Sequence, residues 1–160
     1  MKYLIIIIIL FINKNILALE LTCLFEEVHQ NGESHQGVIL IKNEKFRYQY
    51  FSRNLYTIIH KDNLSFYVQN NDKTKFFKIN DNSEVLEGIV NILGDFPNIK
   101  KEYYIGESTI KVEYSKTNKL IKRIIILSEE VNMSVYFKEC KNPQIKDFHF
   151  SWSPFWDYTY

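Results

Sequence analysis

Apolar and polar residues alternate in short runs over most of the chain after Gly37. Side chains on an extended strand point alternately to its two faces, so a period of two predicts β-strands. Residues 45–51 are the clearest example, because Phe46, Tyr48 and Tyr50 fall on one face. The predicted strands are 37–42, 45–51, 55–60, 64–69, 74–79, 101–106, 109–115, 120–128, 131–138 and 145–151.

Asn and Asp residues mark the short connections between these strands, as in 61–63 and 70–73. Such residues tolerate left-handed backbone and hydrogen-bond to their own turns, so they indicate chain reversals. Connections this short join antiparallel neighbours, because a parallel crossover needs a dozen or more residues. We therefore expect a mainly β (α+β) protein built as an antiparallel meander.

One segment follows a helical period instead. Apolar residues recur at helical spacing from Val85 onward, Ser83 is suited to cap the start, and Gly94 is suited to end the helix. The broad apolar face of this helix must lie on an apolar surface. Strands such as 38–41 and 124–127 are apolar on both faces, which implies either burial on both sides or a lined hollow on one side. A curved sheet with a helix across its open side satisfies both patterns.

The N-terminus has the layout of a secretory signal peptide. Lys2 precedes an apolar run from Tyr3 to Ile12, and the small residue Ala18 closes the segment. The run is shorter than the roughly 20 apolar residues that span a bilayer. We predict a signal peptide at 1–18 and a single domain at 19–160, the alternative being an uncleaved membrane-anchor helix.

Charge and motif content exclude several classes of function. The chain carries 20 Lys and Arg against 19 Asp and Glu, a balance that gives no support for nucleic-acid binding. Metal-protease, hydrolase and phosphate-loop motifs are missing from the sequence, and Glu26-Glu27 is interpreted as solvated surface. We therefore expect no enzyme activity, metal or cofactor. The four histidines, which lack metal-ligand spacing, are His29, His35, His60 and His149.

The two cysteines, Cys23 and Cys140, lie near the two ends of the predicted mature chain. An even pair in an exported protein predicts a disulfide. Two alternatives stay open. Cys23 could carry a lipid anchor, although no small residue precedes it as such an anchor requires. Cys140 could act as a thiol nucleophile with a distant histidine.

Residues 36–50 resemble the start of the sheet in the outer-membrane lipoprotein carrier family, the LolA-type periplasmic carriers. Gly37 precedes an apolar strand, and Phe46-Arg47-Tyr48-Gln49-Tyr50 is similar to the family's Phe-Arg-Trp-x-Tyr. The family has a long N-terminal helix before the segment that corresponds to Phe25 onward. Only Leu19 to Leu24 lies between the predicted signal peptide and Phe25, so that helix is either missing or supplied by an uncleaved leader. Further segments that resemble the family, in the same order, are 25–28, 64–68, 83–93 and 148–154.

This resemblance implies an incomplete, curved antiparallel β-barrel with a short helical lid over an apolar hollow. It implies a monomeric periplasmic carrier that takes lipoproteins from an inner-membrane transporter to an outer-membrane acceptor. Arg47 is expected either to contact the lid or to be a solvated strand arginine. The alternative function is a cell-envelope interaction module with a filled core and an exposed sheet edge. The hollow is expected to be lined by one face of the opening strands together with the helix. The residues expected to bind acyl chains are Val38, Leu40, Phe46, Tyr48, Tyr50, Phe66, Val68, Leu86, Ile89, Val90 and Leu93.

Overall fold

The computed structural model describes residues 20–72, 74–79, 83–115, 117, 120–129 and 131–151. The predicted signal peptide lies outside this range. So do the residues from Trp152 onward, which include the end of the segment 148–154 that resembles the family. The strands are β1 (Glu20–His29), β2 (Ser34–Lys42), β3 (Lys45–Tyr50), β4 (Tyr56–Lys61), β5 (Leu64–Gln69), β6 (Phe76–Lys78), β7 (Glu102–Ile105), β8 (Ser108–Ser115), β9 (Leu120–Leu127) and β10 (Asn132–Lys141). The α-helix α1 spans Glu84–Gly94, and a 3-10 turn spans Asp147–Phe150.

All ten strands form one antiparallel sheet in the order β6-β5-β4-β3-β2-β1-β10-β9-β8-β7. Strands β1 to β6 form one meander and β7 to β10 form a second. The pairing of β1 with β10 joins the two. Over the described residues, the prediction of a mainly β, antiparallel protein with a short helix is confirmed. The sheet is open, with β6 and β7 at its edges.

Asx residues form the tight turns, as predicted. Asn43 lies between β2 and β3 with φ of 55°, and Asp62 and Asn63 lie between β4 and β5 with φ of 52° and 59°. Asn and Asp tolerate this left-handed backbone better than most residues. Each two-residue turn pairs the last residue of one strand with the first of the next, as with Lys42 and Lys45.

Two segments differ from the sequence-based expectation. Strand β1 was not predicted, because its alternating buried positions include Glu27 as well as apolar residues. The predicted strand at 145–151 is wrong, since residues 142–146 have no regular structure and a 3-10 turn follows. The buried residues of segment 145–151 are Ile145 and Phe150. Their spacing of five does not match the period of two that a strand requires.

The predicted helix is confirmed, including its cap. The Ser83 hydroxyl accepts a hydrogen bond of 3.4 Å from the backbone N–H of Leu86. The Glu84 carboxylate accepts hydrogen bonds from the Ser108 hydroxyl and the Glu107 backbone N–H, which tie the start of α1 to the β7–β8 turn. Within the described ranges, no α-helix combines the length and the apolar composition needed to cross a bilayer.

The face of the sheet that packs against α1, here called the helix face, is apolar across both meanders. It divides into two clusters of buried residues, one on β1 to β3 with β10 and one on β7 to β9. Leu93 belongs to the first cluster and Ile92 to the second, so α1 bridges the two meanders.

The opposite face, here called the far face, carries a buried apolar cluster around β2 to β5. Its buried cluster contains Val38, Leu40, Ile59 and Val68, and the chain after β10 covers it with Ile145 and Phe150. The Nζ of Lys42 donates a 2.7 Å hydrogen bond to the Ile145 carbonyl, which fixes this covering segment.

Candidate binding surface on the sheet

The residues predicted to bind acyl chains divide between the two faces of the sheet. Directly paired residues on antiparallel strands share a face. Val38 pairs with Gln49, whereas Ile39 pairs with Tyr48. The expectation of one shared face is therefore wrong. The far face carries Val38, Leu40, Phe66 and Val68, and the helix face carries Phe46, Tyr48 and Tyr50, with Leu86, Ile89, Val90 and Leu93 packed against it from α1.

The seam between α1 and strands β1 to β3 combines buried and partly exposed apolar side chains. Leu93 is only 6 % exposed and is part of the core. The other predicted residues of α1 pack against the same cluster but are only partly buried, and they are Leu86, Ile89 and Val90. These three can separate from the sheet at lower cost than Leu93, because less of their surface is buried.

A buried carboxylate interrupts the apolar helix face. Glu27 is 3 % exposed, and its Oε2 accepts hydrogen bonds from the hydroxyls of Tyr48 at 3.0 Å and Tyr50 at 2.7 Å. Its Oε1 lies 2.6 Å from Nε2 of His29. The interpretation of Glu27 as solvated surface is therefore wrong. The sequence carries no local signal for this site, because Tyr48 and Tyr50 alternate along β3 in the same pattern as an apolar lining.

The tyrosines around Glu27 hold their protons strongly. Burial raises the pKa of both Tyr48 and Tyr50, and the negative charge of Glu27 raises it further. The same two causes raise the pKa of Tyr56, which shares a side-chain hydrogen bond with Tyr50. Because these hydroxyls stay protonated, they remain donors that stabilise the buried carboxylate.

Gly37 makes room for the aromatic side chains beside Glu27. It pairs with Phe25 on one side and Tyr50 on the other, and a Cβ at this position would collide with the Phe25 ring and the Gln49 carbonyl. The Phe25 ring stacks on Tyr48 with centroids 3.9 Å apart. A glycine here is therefore a packing requirement of the helix face.

An aromatic row continues the helix face towards edge strand β6. The aromatic row consists of Tyr50, Tyr56, Tyr67 and Phe77, with successive ring centroids 5.4, 5.9 and 5.1 Å apart. Tyr50 is buried, but Tyr56 is 39 % exposed and Phe77 is 45 % exposed. The row thus leads from the buried carboxylate to an open aromatic surface.

Arg47 lies on the far face and contacts the covering segment. It is 4 % exposed, and its Nε donates to Gln49 Oε1 at 2.9 Å. Its Nη1 donates to the backbone carbonyls of Ser151 at 3.2 Å and His149 at 3.5 Å. The expected contact with a helical lid and the alternative of a solvated arginine are both wrong, because α1 lies on the other face and Arg47 is buried.

Cys23 and Cys140 form a disulfide between β1 and β10, as predicted. The bond lies where the register between these strands shifts, next to Glu139, whose φ is 50°. It therefore locks the single pairing that joins the two meanders. In the part of the chain that the structure describes, no cluster of three or more His, Cys, Asp and Glu side chains is arranged to hold a metal ion.

His60 is buried at the other end of the helix face. Its ring stacks on Phe46 with centroids 5.2 Å apart, and its Nδ1 lies 2.7 Å from the Ser65 hydroxyl. Burial lowers the pKa of His60. These contacts give His60 a packing role in the core.

No protein-family model and no curated protein matches this chain. The resemblance to the LolA-type carriers therefore stays a prediction, and the function has to be argued from the two faces of the sheet.

Proposed function

We propose that the protein is a non-enzymatic periplasmic carrier that binds the acyl chains of lipoproteins and moves them from the inner to the outer membrane. In this proposal the sheet is an incomplete, curved antiparallel barrel, and α1 is the short lid over its open side. The resemblance to LolA-type carriers supplies the expected partners, an inner-membrane lipoprotein-releasing transporter and an outer-membrane acceptor.

The proposal rests on one observation: the helix face extends beyond α1, and that part of it is partly exposed to solvent. The aromatic row continues this face to β6, and Tyr56 and Phe77 leave a large part of their surface exposed. Exposed apolar patches on folded proteins mark binding sites for ligands, membranes or other proteins. An acyl chain on such a surface gains about 0.8 kcal/mol for each methylene removed from water, without covalent chemistry.

The attachment of α1 is compatible with a lid. Polar contacts from Glu84 to Ser108 and Glu107 hold its first turn to the β7–β8 turn. On the side of β1 to β3, the partly buried residues Leu86 and Val90 provide apolar contacts that a chain of methylenes can replace. A chain that replaces these contacts would lie in the seam between α1 and strands β1 to β3.

Native mass spectrometry of the protein purified from periplasm tests the proposal. We expect a stoichiometric adduct, and lipid analysis after organic extraction should identify acyl chains. A protein of bare mass that cannot be loaded with lipoprotein or fatty acid would refute the carrier.

A charge placed in the seam tests where the chain binds. Leu86→Asp should abolish fatty-acid uptake with the sheet still folded, because Leu86 is only partly buried. Leu127→Asp is the matched control, since Leu127 is exposed on the far face, and it should leave uptake unchanged. Leu93 is unsuitable for this test, because it is buried in the core and a charge at that position would unfold the protein. Equal uptake by the two variants would place the chain elsewhere.

Edge strand β6 favours a second candidate, an interaction module of the cell envelope. The N–H of Ile79 donates to β5, so the N–H of Lys78 points away from the sheet. An unprotected edge can pair with an extended segment of a partner. If the carrier tests fail, Lys78→Pro should weaken partner binding without a loss of stability, because it removes only an outward donor.

A further inference from the structure

The carboxylate of Glu27 lies at the buried end of the aromatic row. The Tyr50 hydroxyl donates to Glu27, and Tyr50 and Tyr56 share a side-chain hydrogen bond. Contacts thus run from the buried carboxylate through Tyr50 to Tyr56, which is partly exposed.

Aromatic rings flank the Tyr56 ring on both sides. The Tyr56 ring lies 5.4 Å from the Tyr50 ring and 5.9 Å from the Tyr67 ring, and Phe77 follows at 5.1 Å from Tyr67. The face of an aromatic ring is negative, and it attracts cations within about 6 Å of its centroid. The exposed end of the row is therefore apolar and has a negative electrostatic potential at its ring faces.

Several charged or titratable side chains near the row already have partners. Asp72 and Lys75, in the β5–β6 turn, form an ion pair of 3.2 Å with each other. His29 contacts the opposite oxygen of Glu27, and His35 packs edge-on against both His29 and Tyr50. The charge of Glu27 acts at the exposed residue, because it contributes with burial to the raised pKa of Tyr56.

We propose that the aromatic row binds the head group of a cationic amphiphile, with Tyr56 at the point of contact and Glu27 as the counter-charge behind it. An alkylammonium group fits this chemistry, since aromatic rings with a nearby carboxylate favour organic cations. The inference rests on the proposed function, because the apolar chain of the amphiphile would lie in the seam beneath Leu86 and Val90.

Two amphiphiles with the same chain separate the head-group effect from chain binding. Dodecyltrimethylammonium carries a positive charge, whereas dodecyldimethylamine oxide has a similar shape and no net charge at pH 8. Calorimetric titration at pH 8, with both probes below their micelle concentrations, should give about tenfold tighter binding of the cation. Tyr56→Leu should reduce this preference to less than about twofold.

Tyr104→Leu is the matched control. Tyr104 also donates to a carboxylate, that of Glu102 at 2.6 Å, but it lies on β7 at the opposite edge of the sheet. This variant should keep the full preference for the cation. Glu27→Gln should weaken binding of the cation about fivefold while binding of the amine oxide is unchanged. If that variant does not fold, the comparison of Tyr56→Leu with wild type decides.

The outcomes distinguish the two proposals. Equal affinities of wild type for both amphiphiles would overturn the cation site and leave the carrier intact. A preference that survives Tyr56→Leu would also overturn the site. If neither amphiphile binds, the carrier proposal fails as well.

Discussion

The hydroxyl of Tyr50 on β3 donates a 2.7 Å hydrogen bond to Oε2 of Glu27 on β1, across the intervening strand β2. Tyr104 makes a hydrogen bond of similar length, 2.6 Å, to Glu102. The first pair is buried, whereas Tyr104 is 72 % exposed. The protein thus contains the same interaction in two environments, and the energetic role of burial can be measured by comparing them.

Tyr50→Phe should lower the free energy of unfolding by about 1.5–3 kcal/mol, because it removes a buried donor to a charged acceptor. Tyr104→Phe should leave the unfolding midpoint unchanged, since water replaces the lost donor at the surface. Urea unfolding of both variants measures the difference. Equal effects would show that burial does not strengthen the hydrogen bond to Glu27.

Gly37 should be intolerant of even the smallest side chain. A Cβ there collides with the backbone carbonyl of Gln49 and the ring of Phe25, so Gly37→Ala should cost about 1–3 kcal/mol. Gly94→Ala is the control, because a Cβ at the end of α1 meets no other atom. It should be neutral or slightly stabilising. Chemical unfolding of the pair measures this, and a stable Gly37→Ala variant would show that the aromatic packing is looser than described.

Sequence periodicity predicted the parts of the fold that depend on neighbouring residues. The pattern of β3 and the capped helix α1 are local features, and both were predicted. Strand β1 was missed because the partners of its buried Glu27 are 21 and 23 residues away. The strand predicted at 145–151 is wrong for the same reason. The residues that hold this covering segment in place, Lys42 and Arg47, are distant in sequence.

The division of the predicted lining between two faces follows from the β2–β3 turn. With two residues in the turn, Lys42 pairs with Lys45, so even-numbered residues of β2 share a face with odd-numbered residues of β3. Val38 must then oppose Gln49 rather than Tyr48. Counting the turn residues would have revealed this from the sequence. The buried carboxylate gave no comparable local signal.

Removal of the disulfide should weaken the protein strongly. Cys23 and Cys140 are 117 residues apart, and a cross-link over so long a loop contributes roughly 4–5 kcal/mol in the chain-entropy model. The double variant Cys23→Ala and Cys140→Ala should lose a large part of this in urea unfolding. Reductant should lower the stability of the wild type and leave the double variant unchanged. Two titratable thiols in the unreduced wild type would contradict the bond.

High pH should destabilise the fold through the tyrosines around Glu27. Burial and the Glu27 charge raise the pKa of Tyr48 and Tyr50 in the folded protein, whereas an unfolded tyrosine releases its proton near pH 10. Their contribution is complete below pH 10. It falls above pH 10 by about 1.4 kcal/mol per pH unit for each tyrosine. Unfolding midpoints at pH 8, 10 and 11 should show this decline, and Tyr50→Phe should make it less steep. An equally steep decline in that variant would rule out Tyr50 as a source.

Two buried threonines provide a final matched pair. Thr22 and Thr57 are both buried, and the hydroxyl of Thr57 donates to Asn70 Oδ1 at 2.8 Å. The hydroxyl of Thr22, opposite Leu40 on the far face, has no hydrogen-bond partner among the described groups.

Valine has almost the shape of threonine without the polar oxygen. Thr22→Val should therefore stabilise the protein by about 1 kcal/mol, because a buried polar group without a partner costs free energy. Thr57→Val should destabilise it by a similar amount, since the Asn70 carbonyl loses its donor. Thermal unfolding of the two variants should thus give shifts of opposite sign. Destabilisation by both would mean that the Thr22 hydroxyl has a partner, such as an ordered water.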